Sequence, residues 1–124
     1  MRTMDAARLF SALANSERLA IVDALVKRSP RTCGPTISEI AGATDLSRFS
    51  ASRHLAILRS AGLVTAERVR GGFRHRINVD GLTAIEDWAY ARSSTVPTAD
   101  ESTYAVQRAS AGNNLRQSSL RCNG

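Results

Sequence analysis

"LSRFSASRHLAILRSAGLV" (residues 46–64) holds Arg48, Arg53, Arg59, His54 and four serines among its apolar residues, and no aspartate or glutamate. Ser47 is a good N-cap and Gly62 a good stop, so the stretch predicts a helix over 48–61. At about 100° per residue, Ala51, Leu55 and Leu58 form one apolar stripe, and Phe49 and Arg53 fall nearly opposite it. The amino end of a helix favours negative charge. A helix that keeps carboxylates out of its first turn and puts arginines on its free face is suited to meet an external anion.

Downstream, "LVTAERVRGGFRHRINV" reads as two strands joined at Gly71-Gly72, a pair that accepts the positive φ angles of a tight hairpin. A loop of those two residues sets Val64 opposite Val79, Ala66 opposite Ile77 and Glu67 opposite Arg76, leaving Arg70 and Arg74 near the tip. "DGLTAIEDWAYARS" returns to helical spacing, with Leu82, Ile85, Trp88 and Ala89 on one side and Asp80 as the predicted cap. Upstream, "TISEIAGATD" opens with Thr36 and Glu39 at capping-box spacing and closes at Asp45, which tolerates the left-handed conformation. "SERLAIVDALVKR" predicts a helix with Leu19, Val22, Leu25 and Val26 as its stripe. "MDAARLFSALAN" predicts a shorter amphipathic one, with Leu9 and Leu13 four apart and Ala6 and Phe10 beside them. Helix, helix, short helix, basic helix, glycine hairpin, helix is the order of a winged helix-turn-helix, mainly α with a small two-stranded wing.

The 124 residues fit one domain, placed at 1–92. Residues 93–124 turn to Ser, Ala, Asn, Gln and Arg with little to bury and read as a tail, with a marginal helix at 99–111 where Thr98 and Glu101 repeat the capping-box spacing. Net charge is +6, from 17 Lys and Arg against 11 Asp and Glu. Residues 46–76 alone carry Arg48, Arg53, Arg59, Arg68, Arg70, Arg74 and Arg76 against the single acid Glu67. That concentration is the footprint expected of a surface that meets a polyanion, although charge by itself favours the plainer reading of a solvated basic face. Asp5 and Glu17 interrupt the N-terminal apolar residues, and no run approaches a membrane span, so a cytoplasmic protein is expected. Cys33 and Cys122 lie far apart without a second metal ligand beside either. They read as two reduced thiols, with a disulfide or a shared thiol site between them as the alternative. His54 sits at the border of the apolar stripe and suits a hydrogen bond to a neighbour or a phosphate better than a base edge. His75 reads as exposed or as a phosphate contact. No nucleophile with a base, no paired carboxylates and no phosphate loop appear, so an enzyme is not expected, nor any cofactor or metal.

Over residues 4–92, "LFSALANSERLAIVDALV", the stretch "TISEIAGATDLSRFSASRHLAILRSAGLV" and "RVRGGFRHRINV" resemble the ArsR/SmtB family of small dimeric bacterial repressors. The resemblance puts Arg48 where the family often has glutamine, Phe49 where serine is common, Ser52 at a serine position, and Arg53 with His54 at paired histidines. It implies that Arg48, Phe49, Ser50, Ser52, Arg53 and His54 on the helix, with Arg68, Arg70 and Arg74 on the wing, face double-stranded DNA. Thr36 and Ser38 stand where metal-sensing members have cysteines, and the last helix lacks histidine, so a metal inducer is not implied. The expected protein is a homodimeric repressor on a palindromic operator, paired through Phe10, Leu13, Leu82, Ile85 and Trp88. A nonspecific nucleoid or RNA-binding module, and a winged helix used only for protein contacts, are the alternatives.

Overall fold

A computed structural model describes residues 5–28 and 33–97. Its elements are α1 (Ala6–Leu13), α2 (Ser16–Arg28), α3 (Ile37–Thr44), α4 (Arg48–Ser60), β1 (Val64–Val69), β2 (Gly72–Ile77) and α5 (Val79–Ser93). Of the tail expected over 93–124, only residues 93–97 are described, the first of them still in α5; the marginal helix expected at 99–111 lies outside the described residues.

Each helix begins where a side chain can take up free amide protons. Asp5 accepts from the Ala7 amide, and Asn15 Oδ1 accepts from the amides of Glu17 at 2.9 Å and Arg18 at 3.1 Å. Thr36 and Glu39 form the reciprocal capping box that their spacing predicts. Asp45 then turns the chain at φ 58°, and Ser47 caps α4 through the Ser50 amide. The three residues 45–47 are the whole connection between α3 and α4. α4 ends in a Schellman motif: Gly62, at φ 90°, donates to the Arg59 carbonyl, and Leu63 donates to that of Leu58.

One core holds these pieces. Leu9 and Ala12 of α1, Ile21, Val22 and Leu25 of α2, Ile40 and Ala41 of α3, Ala51, Leu55 and Leu58 of α4, and Leu63 with Val64 are all buried together. The stripe expected on α4 is the buried one. On α2 the buried face is rotated: Ile21 replaces Leu19 and Val26, which are 47% and 48% exposed. α2 packs against α3, α4 and β2, and that wedge selects Ile21, Val22 and Leu25. On α1, Leu9 and Ala12 point inward and Phe10 is exposed.

The wing differs from expectation by two residues. Its loop is Arg70-Gly71, and Gly72 already pairs with Val69, so Val64 opposes Ile77 and Glu67 opposes Arg74. A shift of two keeps the pleat's faces, so Val64 and Ala66 remain inward, across from Ile77 and His75. Val79 belongs to α5 instead. Asn78, not Asp80, caps that helix: its Oδ1 accepts from the Asp80 amide, its Nδ2 donates to the Gly62 carbonyl, and its own amide donates to the Leu63 carbonyl.

His75 is 2% exposed, and this overturns its reading as an exposed or phosphate-bound residue. Its Nδ1–H and its backbone amide both donate to the Pro35 carbonyl, so the segment before α3 lies along β2 as a short third edge. Cys33, at the start of that segment, is disulfide-bonded rather than the reduced thiol expected; Cys122 lies outside the described residues.

Candidate nucleic-acid interface

α4 turns a buried side to the core and an open side to solvent. Arg48, Phe49, Ser52 and Arg53 are exposed, Ser50 is half-buried, and no acid stands in the first turn. Phe49 is the most exposed large apolar side chain among the described residues, at 74%. Its position one turn before Arg53 puts an apolar ring and a guanidinium side by side on the open face.

His54 faces the other way. Its side chain is 15% exposed, with Nε2 2.8 Å from Glu17 Oε1 and Nδ1 3.2 Å from Arg18 Nη1. A guanidinium can only donate, so Nδ1 accepts and the ring proton lies on Nε2, donated to Glu17. Arg18 Nε meanwhile donates to the Ala12 carbonyl at the end of α1. His54 is thereby a strut between α4 and the α1–α2 joint. From sequence, His54 is expected to meet a neighbouring carbonyl or a phosphate and to belong to the DNA-facing set; the ring is held instead by a carboxylate and a guanidinium. These partners were not legible, because Glu17 and Arg18 lie 37 and 36 residues away in sequence.

On the wing, the arginines divide. Arg70 is exposed in the loop, and Arg68 is exposed with its guanidinium 5.8 Å from the Phe73 ring centroid. Arg74 turns back to the body: Nη1 donates to the Gly34 carbonyl at 3.1 Å and lies 3.8 Å from Glu39 Oε1. Glu39 also accepts from the Thr36 amide at 2.9 Å and stands 3.7 Å from Arg28. The Thr36 amide first, then the Thr36 hydroxyl and the two guanidiniums, hold its carboxyl below the ordinary range against the opposing effect of burial. α4 and the wing thus present Arg48, Arg53, Arg68 and Arg70, while Glu39 and Arg74 brace the wing from behind.

Away from this face, Phe10 of α1 meets Trp88 of α5 edge to face, with centroids 5.1 Å apart and rings at 74°. Both stay substantially exposed, at 38% and 40%. Leu13, Leu82 and Ile85 pack, half-buried, against the core beneath them. Among the described residues no helix is long and apolar enough to cross a membrane, and no group of three or more His, Cys, Asp or Glu side chains could hold a metal ion.

Residues 13–67 match a family model described as a helix-turn-helix domain. No curated protein matches the sequence. Among solved structures, the chain is similar to the homodimeric winged helix-turn-helix DNA-binding domain of a possible ArsR-family transcriptional regulator from Mycobacterium bovis. The identity is 31% and the TM-score 0.53, over 71% of this chain and 79% of that one. A crystal structure of a possible transcriptional regulatory protein fragment from Mycobacterium bovis matches at 33% identity and TM-score 0.53, covering 71% and 87%. HlyU from Vibrio cholerae matches at 26% identity and TM-score 0.55, covering 69% and 88%. Family model, fold and identity agree: the chain belongs to the ArsR family of winged helix-turn-helix DNA-binding transcriptional regulators.

Proposed function

We propose that the protein is a homodimeric repressor that occupies a palindromic operator, with one α4 in each major-groove half-site and the wings on the flanking backbone. The observation that carries this reading is the division of α4: Ala51, Leu55 and Leu58 are buried, while Arg48, Phe49, Ser52 and Arg53 are exposed over a first turn without acid. A helix docked by its amino half brings those side chains to base edges. Arg48 and Arg53 are the candidates for paired hydrogen bonds to guanine, Ser50 and Ser52 for phosphate or base edges, and Arg68 and Arg70 for phosphate. His54 and Arg74 act from behind as braces. Dimerisation through the exposed Phe10–Trp88 pair, continuous with Leu13, Leu82 and Ile85, would bury apolar surface of α1 and α5. The Mycobacterium bovis domain is itself described as homodimeric.

The test is a selection from a randomised duplex library, followed by affinity measurement on the selected and on scrambled duplexes across a salt series. A repressor of this kind recovers a two-fold motif and binds it about a thousandfold or more tighter than scrambled DNA. Equal affinity for both, with the same salt slope, would instead identify a nonspecific nucleic-acid binder. No binding to either would leave a winged helix used for protein contacts.

A further inference from the structure

Phe49 has no role in the core, and of the exposed side chains that a docked α4 would bring to base edges it is the one not yet given a chemical partner. We infer that its ring reads the C5-methyl group of a pyrimidine in the major groove, making Phe49 a specificity-determining residue. This rests on α4 being the reading helix, and it adds the chemical group that one of its positions recognises.

Three observations carry the inference. Phe49 is the second residue of α4, and the amino-terminal residues of a docked reading helix are those that reach base edges. It is 74% exposed, so its ring is free to be covered by something outside the chain. Arg48 precedes it and Arg53 follows one turn later, both exposed, with Ser47 capping the helix and no acid in the first turn. The patch around the ring is therefore cationic, and its natural cover is polyanionic and apolar at once. The edge of duplex DNA in the major groove has one apolar group, the methyl on C5 of thymine. 5-Methylcytosine offers the same group on a G·C pair. A phenyl ring can donate or accept no hydrogen bond of ordinary strength, so the methyl is the only base-edge group that repays its desolvation.

The experiment uses the full chain and the duplex selected from the randomised library. At each pyrimidine of the half-site, thymine is replaced by deoxyuridine, which removes the methyl alone, and in parallel cytosine is compared with 5-methylcytosine. At one step per half-site, loss of the methyl should weaken wild-type binding about fourfold, the factor expected for uncovering one methyl-sized group. Phe49→Ser should bind the methylated and unmethylated duplexes alike while keeping its preference at the guanine steps. Phe49→Leu should keep part of the gap. The tighter of the T·A and 5-methyl-C·G duplexes at that step identifies the natural source of the methyl. Because Phe49 is outside the core, its variants should unfold at the wild-type urea concentration. Wild-type protein that binds thymine and deoxyuridine duplexes equally at every step would overturn the inference with the repressor reading intact. A selection that returns no motif overturns both.

Discussion

Arg53 and Arg70 are exposed arginines in different settings, and they should fail differently. Arg53 lies on the open face of α4, so Arg53→Ala should cost about 1–3 kcal/mol on the selected operator and relax preference at one base step. Arg70 sits in the wing loop, where Arg70→Ala should weaken selected and scrambled duplexes alike and flatten the salt slope by about one. Equal losses on both duplexes for Arg53→Ala would remove it from base readout. A third residue reports through stability rather than binding. Burial, with a further contribution from the Arg59 charge, holds the His75 imidazole below its ordinary pKa despite its bond to the Pro35 carbonyl. The unfolded chain takes up a proton as pH falls through about 6.5, where the folded chain still resists it. Stability is therefore full above that pH and declines as pH falls through it. Urea midpoints measured from about pH 8 down to about pH 5.5 should show the decline, and His75→Phe should flatten it.

At the scale of elements, the tightest tolerances lie where loops cross strands and helix ends. A Cβ on Gly34 would sit 1.8 Å from the His75 carbonyl oxygen, so Gly34→Ala must push the segment before α3 off β2. A Cβ on Gly81 would sit 2.6 Å from the Gly62 carbonyl oxygen, where α5 leaves the α4–β1 corner. Each substitution should cost about 1–3 kcal/mol or more, read as a lowered urea midpoint. These contacts mark the boundary of what was legible in the sequence. Capping residues announced the starts of α3 and α4, and Gly62 announced the end of α4, because those rules are local. The two-residue error in the wing arose because Gly71 and Gly72 both accept positive φ, and only strand pairing decides which of them belongs to the loop. Leu19 and Val26 fit a helical stripe as well as Ile21 does, and α2's neighbours decided between them. His75 looked polar and therefore exposed; its acceptor, Pro35, is 40 residues away. On α4 the candidate residues were readable because a single helix presents them, whereas the braces behind His54 and Arg74 come from elsewhere in the chain.

For the molecule as a whole, the exposed Phe10–Trp88 pair decides the oligomeric prediction. Trp88→Glu places a charge in the middle of that face and should shift sedimentation from dimer to monomer at micromolar concentration without loss of helical circular dichroism. The same variant should lose the two-fold footprint, whose half-sites lie roughly 34–36 Å apart. The strut from Ala12 through Arg18 to His54 has a consequence for that spacing. It fastens the end of α1 to the middle of α4 within one chain, so that in the proposed dimer each reading helix would stand at a fixed angle to the two-fold axis. One base pair inserted at the operator's centre moves a half-site about 3.4 Å along the duplex and turns it by about 34–36°. Helices held this stiffly cannot follow that rotation. An operator of the proposed two-fold kind should therefore keep its helical phase, and a spacer lengthened by a single base pair should bind no better than a lone half-site.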